Sequence, residues 1–375
     1  MPAASTLSQA REDRPRAMQG TAALRLWIVA LAVLVVIMIA VGGATRLTGS
    51  GLSITEWRPV TGAIPPLSHE AWLAEFEKYR QIPQYELLNK GMTLGEFKVI
   101  YAWEWGHRQL GRLIGLVFLL PFVWFWWQGI LRREQALALL GIGALGGLQG
   151  AIGWIMVASG LEPGMVAVAP LKLMLHLVTA SLILASLVWM AAGLTQSHTR
   201  PTLGEEKMRA GARFLALLSL FQIALGALVA GSHAGLTYNT WPLMDGQLIP
   251  PLSALFTVTP WIENFVDNVT LVQFNHRIVA YLLVAAAIWH AARGSQLAAG
   301  SAAATRAWAL AGLCLAQSVL GIVTLLLAVP LWAGLLHQLG AMVVLAMAVA
   351  HARLSRRQLK PEAREDTSPA LGAPA

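Results

Sequence analysis

The feature that most constrains this chain is a series of apolar runs, each about as long as a bilayer is thick. A hydrocarbon core about 30 Å thick requires roughly 20 apolar residues in an α-helix. The runs span residues 26–44, 113–131, 135–161, 173–199, 214–232, 268–292 and 307–352, of which only 268–292 is interrupted by a charge, Arg277. The last run is long enough for two spans with a turn at Pro330. The sequence therefore predicts an all-α integral membrane protein with eight transmembrane helices.

Composition excludes the other broad classes of protein. Charged residues make up 12% of the chain, against about 25% in soluble domains. The mean hydropathy of +0.59 excludes a disordered chain. The one cysteine, Cys314, has no partner for a disulfide. The first apolar run is too long for the core of a cleaved signal peptide.

Basic residues predict which side of the membrane each connection faces. With the N-terminus inside, 17 of the 27 Lys and Arg residues fall on inner segments, as the positive-inside rule requires. Both termini are then cytoplasmic. The net charge of +8 is explained by this asymmetry, and no nucleic-acid partner is expected. Glu12 and Asp13 are unlike an acid-poor transit peptide, which favours a bacterial inner membrane.

An internal repeat relates the two halves of the chain. Four features of the first half recur in the same order in the second. The matches are 51–57 with 235–241, His107 and Arg108 with His276 and Arg277, Gln149 and Gly153 with Gln317 and Gly321, and His176 with His337. Each unit has an even number of spans, so both enter the membrane in the same sense. We expect two tandem four-helix bundles related by a pseudo-twofold axis along the membrane normal.

The repeat also predicts the boundaries of these units. The expected segments are a cytoplasmic tail (1–23), an N-terminal bundle (24–199) with a long outer loop (45–103), an inner linker (200–213), a C-terminal bundle (214–353) and a disordered tail (354–375). Within the outer loop, residues 69–80 are amphipathic. Covering a pocket is the simplest task for such a segment.

Four histidines stand near the outer ends of the even-numbered spans: His107, His176, His276 and His337. Ionisable groups inside a membrane are costly and mark functional sites. Two imidazoles on facing helices of a bundle are suited to the axial ligation of a haem iron. Zinc fits less well, because no thiolates lie near these pairs. A proton or ion transporter would be expected to carry acids at mid-membrane depth, where the spans have almost none.

Two further histidines leave a second haem arrangement open. His290 and His351 each lie 14 residues after a histidine of the second half, the spacing with which diheme cytochromes b stack two haems. The corresponding residues of the first half are Pro121 and Met190. At the inner rim, beside Arg293 and Arg353, both histidines are also expected to reach towards water.

One carboxylate distinguishes the two halves. Glu104 lies three residues before His107 and shares its helix face. The corresponding residue before His276 is the neutral Gln273. Two similar pockets with one carboxylate suggest one redox relay and one reaction chamber. The alternative for Glu104 is an ion pair with Arg108 at an exposed rim, which would contribute little.

Taken together, these residues resemble the haem A synthase family, whose members act beside haem O synthase in cytochrome oxidase assembly. The resemblance rests on Gly42–Ser53, Glu104-x-x-His107-Arg108, 274–277 and His337-Gln338, and it runs from about residue 24 to 353. It implies that His276 and His337 ligate a haem b. It further implies that His107 and His176 hold the substrate, haem O, with Glu104 beside the reacting methyl group.

The resemblance also implies a reaction and its surroundings. The methyl group at ring carbon 8 would be oxidised to a formyl group through successive hydroxylations and loss of water. Arg46, Arg108 and Arg277 are candidate partners of the haem propionates. Expected partners are haem O synthase, oxidase assembly factors and the lipid bilayer. The electron acceptor, the oxygen source and a homo-oligomeric state stay open. Some members carry a cysteine pair in the outer loops, and this sequence has none there.

Overall fold

The computed structural model describes residues 3–195 and 202–355, with side chains from residue 20 onward. Within these ranges, eight helices are long and apolar enough to cross a membrane, and no β-strand is present. They are α1 (Ala3–Leu47, apolar from Gly20), α2 (Leu94–Trp127), α3 (Arg133–Gly160), α4 (Pro170–Gly193), α5 (Leu203–Gly231), α6 (Val269–Leu297), α7 (Ala302–Leu326) and α8 (Leu331–Leu354). The prediction of an eight-helix membrane protein is confirmed, as is the turn at Pro330.

Several helices extend beyond the predicted apolar runs, because capping residues rather than apolar runs decide where they begin. α2 starts at Leu94, inside the predicted loop 45–103, where Thr93 and Glu96 form a capping box. α5 starts at Leu203, inside the predicted linker 200–213, after a second capping box that begins at Thr202. α1 likewise runs through most of the predicted N-terminal tail. His198, Arg200 and the tail from residue 356 lie outside the described residues.

Helix contacts form two closed circuits. In the first half α1, α2, α3 and α4 each contact the next, and α4 returns to α1. The second half repeats this pattern with α5 to α8. Between the halves, α1 contacts α8, α4 contacts α5, and α4 contacts α8. If the two halves are exchanged, α1 corresponds to α5 and α4 to α8. The contact of α1 with α8 then becomes that of α5 with α4, and the contact of α4 with α8 is unchanged. The arrangement is consistent with two bundles related by a twofold axis.

Apolar side chains fill both bundles at the ends predicted to face the cytoplasm. In the second half, Met208 and Leu215 of α5 pack with Leu310 of α7 and Ala348 of α8. In the first half, Leu24 and Ile28 of α1 are almost fully buried against α2, α3 and α4. The histidine pairs expected to bind haem lie towards the opposite ends of the bundles, where Ile39 and Ala180 form the edge of the first cluster.

The outer loop of the first half carries a small core of its own. The predicted amphipathic segment is a helix, His69–Arg80, capped by Ser68. Its Phe76 and Tyr79 are buried against Phe97 of α2. The matching loop of the second half holds only short helical turns, the last of which is Asn264–Asp267. The first half therefore has the more extensive outer cover.

Candidate haem-binding sites

Each of the four repeated histidines faces a glycine on the preceding helix. A β-carbon added to any of these glycines would come within 2.7–3.1 Å of the imidazole Cε1, closer than ordinary packing allows. The pairs are Gly42 with His107, Gly153 with His176, Gly226 with His276, and Gly321 with His337. In every helix hairpin, the glycine thus leaves the space that one imidazole ring occupies.

In the second half the two imidazoles face each other across the bundle. The ring centroids of His276 and His337 are 6.4 Å apart, and the rings are 83° from parallel. Two metal–imidazole bonds of about 2.0–2.1 Å, together with about 1.2 Å from each ring centre to its nitrogen, give roughly 6.5 Å. The separation therefore fits one metal atom held between the two rings. In the first half, His107 and His176 lie within electrostatic range of each other.

A glutamine one helical turn before the glycine contacts three of the four histidines. The amide nitrogen lies 3.1 Å from Nδ1 of the histidine in the pair Gln149–His176, and 3.0 Å away in Gln222–His276 and Gln317–His337. In the first two pairs it also lies 3.3 Å and 3.5 Å from the imidazole Nε2. The same nitrogen donates to the histidine's own backbone carbonyl. Gln222 was missed from the sequence, although its spacing to Gly226 repeats that of Gln149 to Gly153.

Glu104 is buried, with 4% of its surface exposed, so the exposed rim assumed in the ion-pair alternative is wrong. Its Oε2 accepts hydrogen bonds from Ser53 Oγ at 2.8 Å and Ile54 N at 2.9 Å. Its Oε1 accepts from Arg108 Nη2 at 2.6 Å. The ion pair considered as the alternative is therefore present. The two hydrogen bonds to Oε2 tie the 53–54 turn to α2.

The second half builds the same junction without a charge on the acceptor. Gln273 Oε1 accepts from Arg277 Nη2 at 2.9 Å, and Gln273 Nε2 donates to the Ala234 carbonyl at 2.7 Å. Both partners are buried. A neutral amide is therefore sufficient to hold the arginine and link the neighbouring turn to the helix.

The three arginines suggested as propionate partners all lie in these outer junctions. Arg108 also donates to the carbonyls of Ile54 and Glu56. Arg277 donates to the Tyr238 carbonyl, while its buried Nε has no partner. Arg46 donates to the Ala230 carbonyl and so links α1 to α5.

His290 and His351 form a direct hydrogen bond, Nε2 to Nε2, at 3.0 Å. A metal between two imidazole nitrogens needs about 4 Å, so this spacing fits a hydrogen bond and not an iron atom. The two side chains are 4% and 0% exposed. The expectation that they reach towards water at the inner rim is therefore wrong. Within 3–195 and 202–355, no group of three or more His, Cys, Asp or Glu residues is gathered as a metal site.

Comparison with known proteins decides the family. Residues 25–349 match the model of a family described as cytochrome oxidase assembly protein. A relative from Methylobacterium sp. (strain 4-46), named haem A synthase, is 67% identical over 88% of this chain and 92% of its own length. This chain belongs to the haem A synthase family.

More distant members carry the same name and match this chain over most of their own length. The haem A synthase of Beijerinckia indica subsp. indica is 53% identical over 89% of this chain and 93% of its own. The haem A synthase of Brucella ovis is 49% identical over 92% of this chain and 94% of its own length. The resemblance seen in the motifs around His107, His276 and His337 is thereby confirmed over nearly the whole chain.

Proposed function

We propose that this protein is the membrane oxidoreductase that converts haem O into haem A. The proposal rests on family membership and on one observation above all, the metal-sized separation of His276 and His337. The reaction turns the methyl group at ring carbon 8 into a formyl group. It therefore removes electrons and protons from one carbon and adds oxygen, and the pocket must hold the ring edge and handle protons beside it.

The second-half pair is the proposed seat of a resident haem b. His276 and His337 would supply the two axial nitrogens. Gln222 and Gln317 contact the rings and restrict their rotation. A bis-histidine haem b supplies one-electron redox chemistry when bound. The apolar cluster around Leu310 closes the inner end of this bundle and excludes water.

The first-half pair is the proposed seat of the substrate. His107 and His176 would hold haem O. The Glu104 carboxylate would take up protons, or stabilise positive charge, at the methyl group under attack. The helix His69–Arg80 and its aromatic core would cover this side. Arg46 and Arg108 for the first pocket, and Arg277 for the second, are the proposed propionate partners.

The surroundings of the reaction follow from the same proposal. Haem O synthase would supply the substrate, and oxidase assembly factors would receive the product. The protein would lie in a bacterial inner membrane with both termini in the cytoplasm. A cysteine introduced at Gly300, in the α6–α7 connection, should react with a membrane-impermeant maleimide only after the cells are opened. Labelling of intact cells would overturn this orientation.

The test of the reaction produces the protein in cells that make haem O, which supply the electron acceptor and the oxygen source, and measures haem A by extraction and chromatography. Glu104→Gln keeps the shape of the side chain and can keep the contact to Arg108, as Gln273 does with Arg277. Loss of acid–base help typically costs 10²- to 10⁴-fold, so haem A formation should nearly stop while haem content stays normal.

A matched control separates chemistry from structure. Ser53→Ala removes one hydrogen bond to Glu104 but leaves its carboxylate. This variant should retain most of the activity. Equal activity of Glu104→Gln and the parent would show that Glu104 only ties the turn to α2. Absence of any haem A from the parent protein would overturn the proposed function itself.

A further inference from the structure

The first hairpin departs from the other three in the contacts of its histidine. α3, α5 and α7 each carry a glutamine four residues before the glycine that seats the imidazole. α1 carries Met38 in that position, four residues before Gly42. Within 3–195 and 202–355, no hydrogen bond reaches the His107 ring, whereas a glutamine contacts each of the other three rings.

Neighbouring side chains do not replace the missing amide. The methyl group of Met38 lies beside Gly111, one turn beyond His107, where an added β-carbon would be 3.5 Å away. A thioether donates no hydrogen bond and accepts only weakly. The glutamine nearest to this part of α1 is Gln338 of α8, and its amide donates to the Ile39 carbonyl at 2.7 Å. The His107 ring is therefore held by packing against Gly42 and not by a hydrogen bond from any described residue.

Two of these glutamines also have a free amide oxygen that could accept a hydrogen bond from a metal-bound histidine. The Oε1 atoms of Gln149 and Gln222 are buried and have no partner. A histidine that binds a metal through Nε2 carries its proton on Nδ1 and donates it to a neighbour. Rotation of the amide would present Oε1 to that proton, in exchange for the hydrogen bond that the amide nitrogen now donates to the histidine's own carbonyl. His176 and His276 have this partner available, and the thioether beside His107 offers no equivalent.

We infer that His107 is the axial ligand that dissociates most easily from the haem iron. The reason is that Met38 occupies the position at which the other three hairpins have a glutamine. This inference rests on the proposed function. The pocket of the first half then holds its haem between one anchored ligand, His176, and one movable ligand. Haem O enters and haem A leaves on the His107 side. The pocket of the second half has two anchored ligands and retains its haem b.

The test uses the purified protein carrying both haems, reduced with dithionite, with carbon monoxide as the probe. A ferrous haem binds carbon monoxide only when an axial ligand leaves. In the parent, the first-pocket haem should react quickly and haem b should not. Loss of an outer partner of a metal ligand typically changes affinity 10- to 100-fold. Met38→Gln should slow the reaction of the first-pocket haem by a factor in that range.

Two further variants complete the design. Met38→Leu adds no amide and should react like the parent. Gln222→Met should make haem b reactive, and it decides the question if Met38→Gln does not fold. Release of the first-pocket haem to excess apomyoglobin should slow in Met38→Gln and remain unchanged in Met38→Leu.

The possible results separate this inference from the proposed function. Reaction of Met38→Gln at the parental rate, or an inert haem b in Gln222→Met, would overturn the inference alone. Absence of haem O and haem A from extracts of the parent would overturn the proposed function instead.

Discussion

The two bundles present the same pair of histidines in different surroundings. Each has a histidine on its second and fourth helices, and each imidazole is seated on a glycine. In the C-terminal bundle both rings contact a glutamine, and a neutral Gln273 holds the adjacent junction. In the N-terminal bundle one ring lacks the glutamine, and a buried Glu104 replaces Gln273. Under the proposed function, one repeated pair of histidines would serve a resident cofactor in one half and a reacting substrate in the other.

The largest expected effect separates two histidine pairs within the C-terminal bundle. His337→Ala should abolish the low-spin haem b signal, because the iron loses an axial ligand. His351→Ala should keep that signal, because His351 and His290 are hydrogen bonded too closely for an iron atom. Reduced-minus-oxidised spectra of the purified variants measure both. Loss of haem b from His351→Ala would favour the stacked diheme arrangement.

A smaller effect concerns the glycine that seats each ring. In Gly321→Ala the new methyl group would lie 2.7 Å from Cε1 of His337, so the imidazole must shift. Haem b occupancy should fall roughly 10- to 100-fold at limiting haem, the range seen when a ligand loses its support.

Gly312 of the same helix is the matched control. An added β-carbon there meets nothing within 4 Å, and alanine favours a helix over glycine. Gly312→Ala should therefore bind haem b like the parent. Equal occupancy in both alanine variants would show that the close approach to His337 has no role.

The helices were more predictable than their ends. Charge-free runs identify the spans because a bilayer requires them. The start of α2 at Leu94 depends on the side chains of Thr93 and Glu96 and on a polar outer region that no apolar run marks. The repeated histidines could be found in the sequence, since the offsets between the halves differ only by loop length.

Contacts between helices were less predictable. The hydrogen bond between His290 and His351 and the burial of Glu104 both depend on how neighbouring helices are rotated and spaced. The spacing of 14 residues could not distinguish a haem pair from a hydrogen-bonded pair. Gln222 could have been identified, because its position relative to Gly226 repeats a pattern already visible around Gly153 and Gly321.

The proposed assignment of the substrate to one bundle and the resident haem to the other can be tested by removing one histidine from each bundle in turn. His176→Ala and His276→Ala would each be produced in cells that make haem O, and the purified proteins extracted and their haems separated by chromatography. His176→Ala should keep haem b and lose haem O and haem A, whereas His276→Ala should lose haem b and keep haem O. Loss of the same haem from both variants would contradict the assignment of the substrate to the N-terminal bundle and the resident cofactor to the C-terminal one.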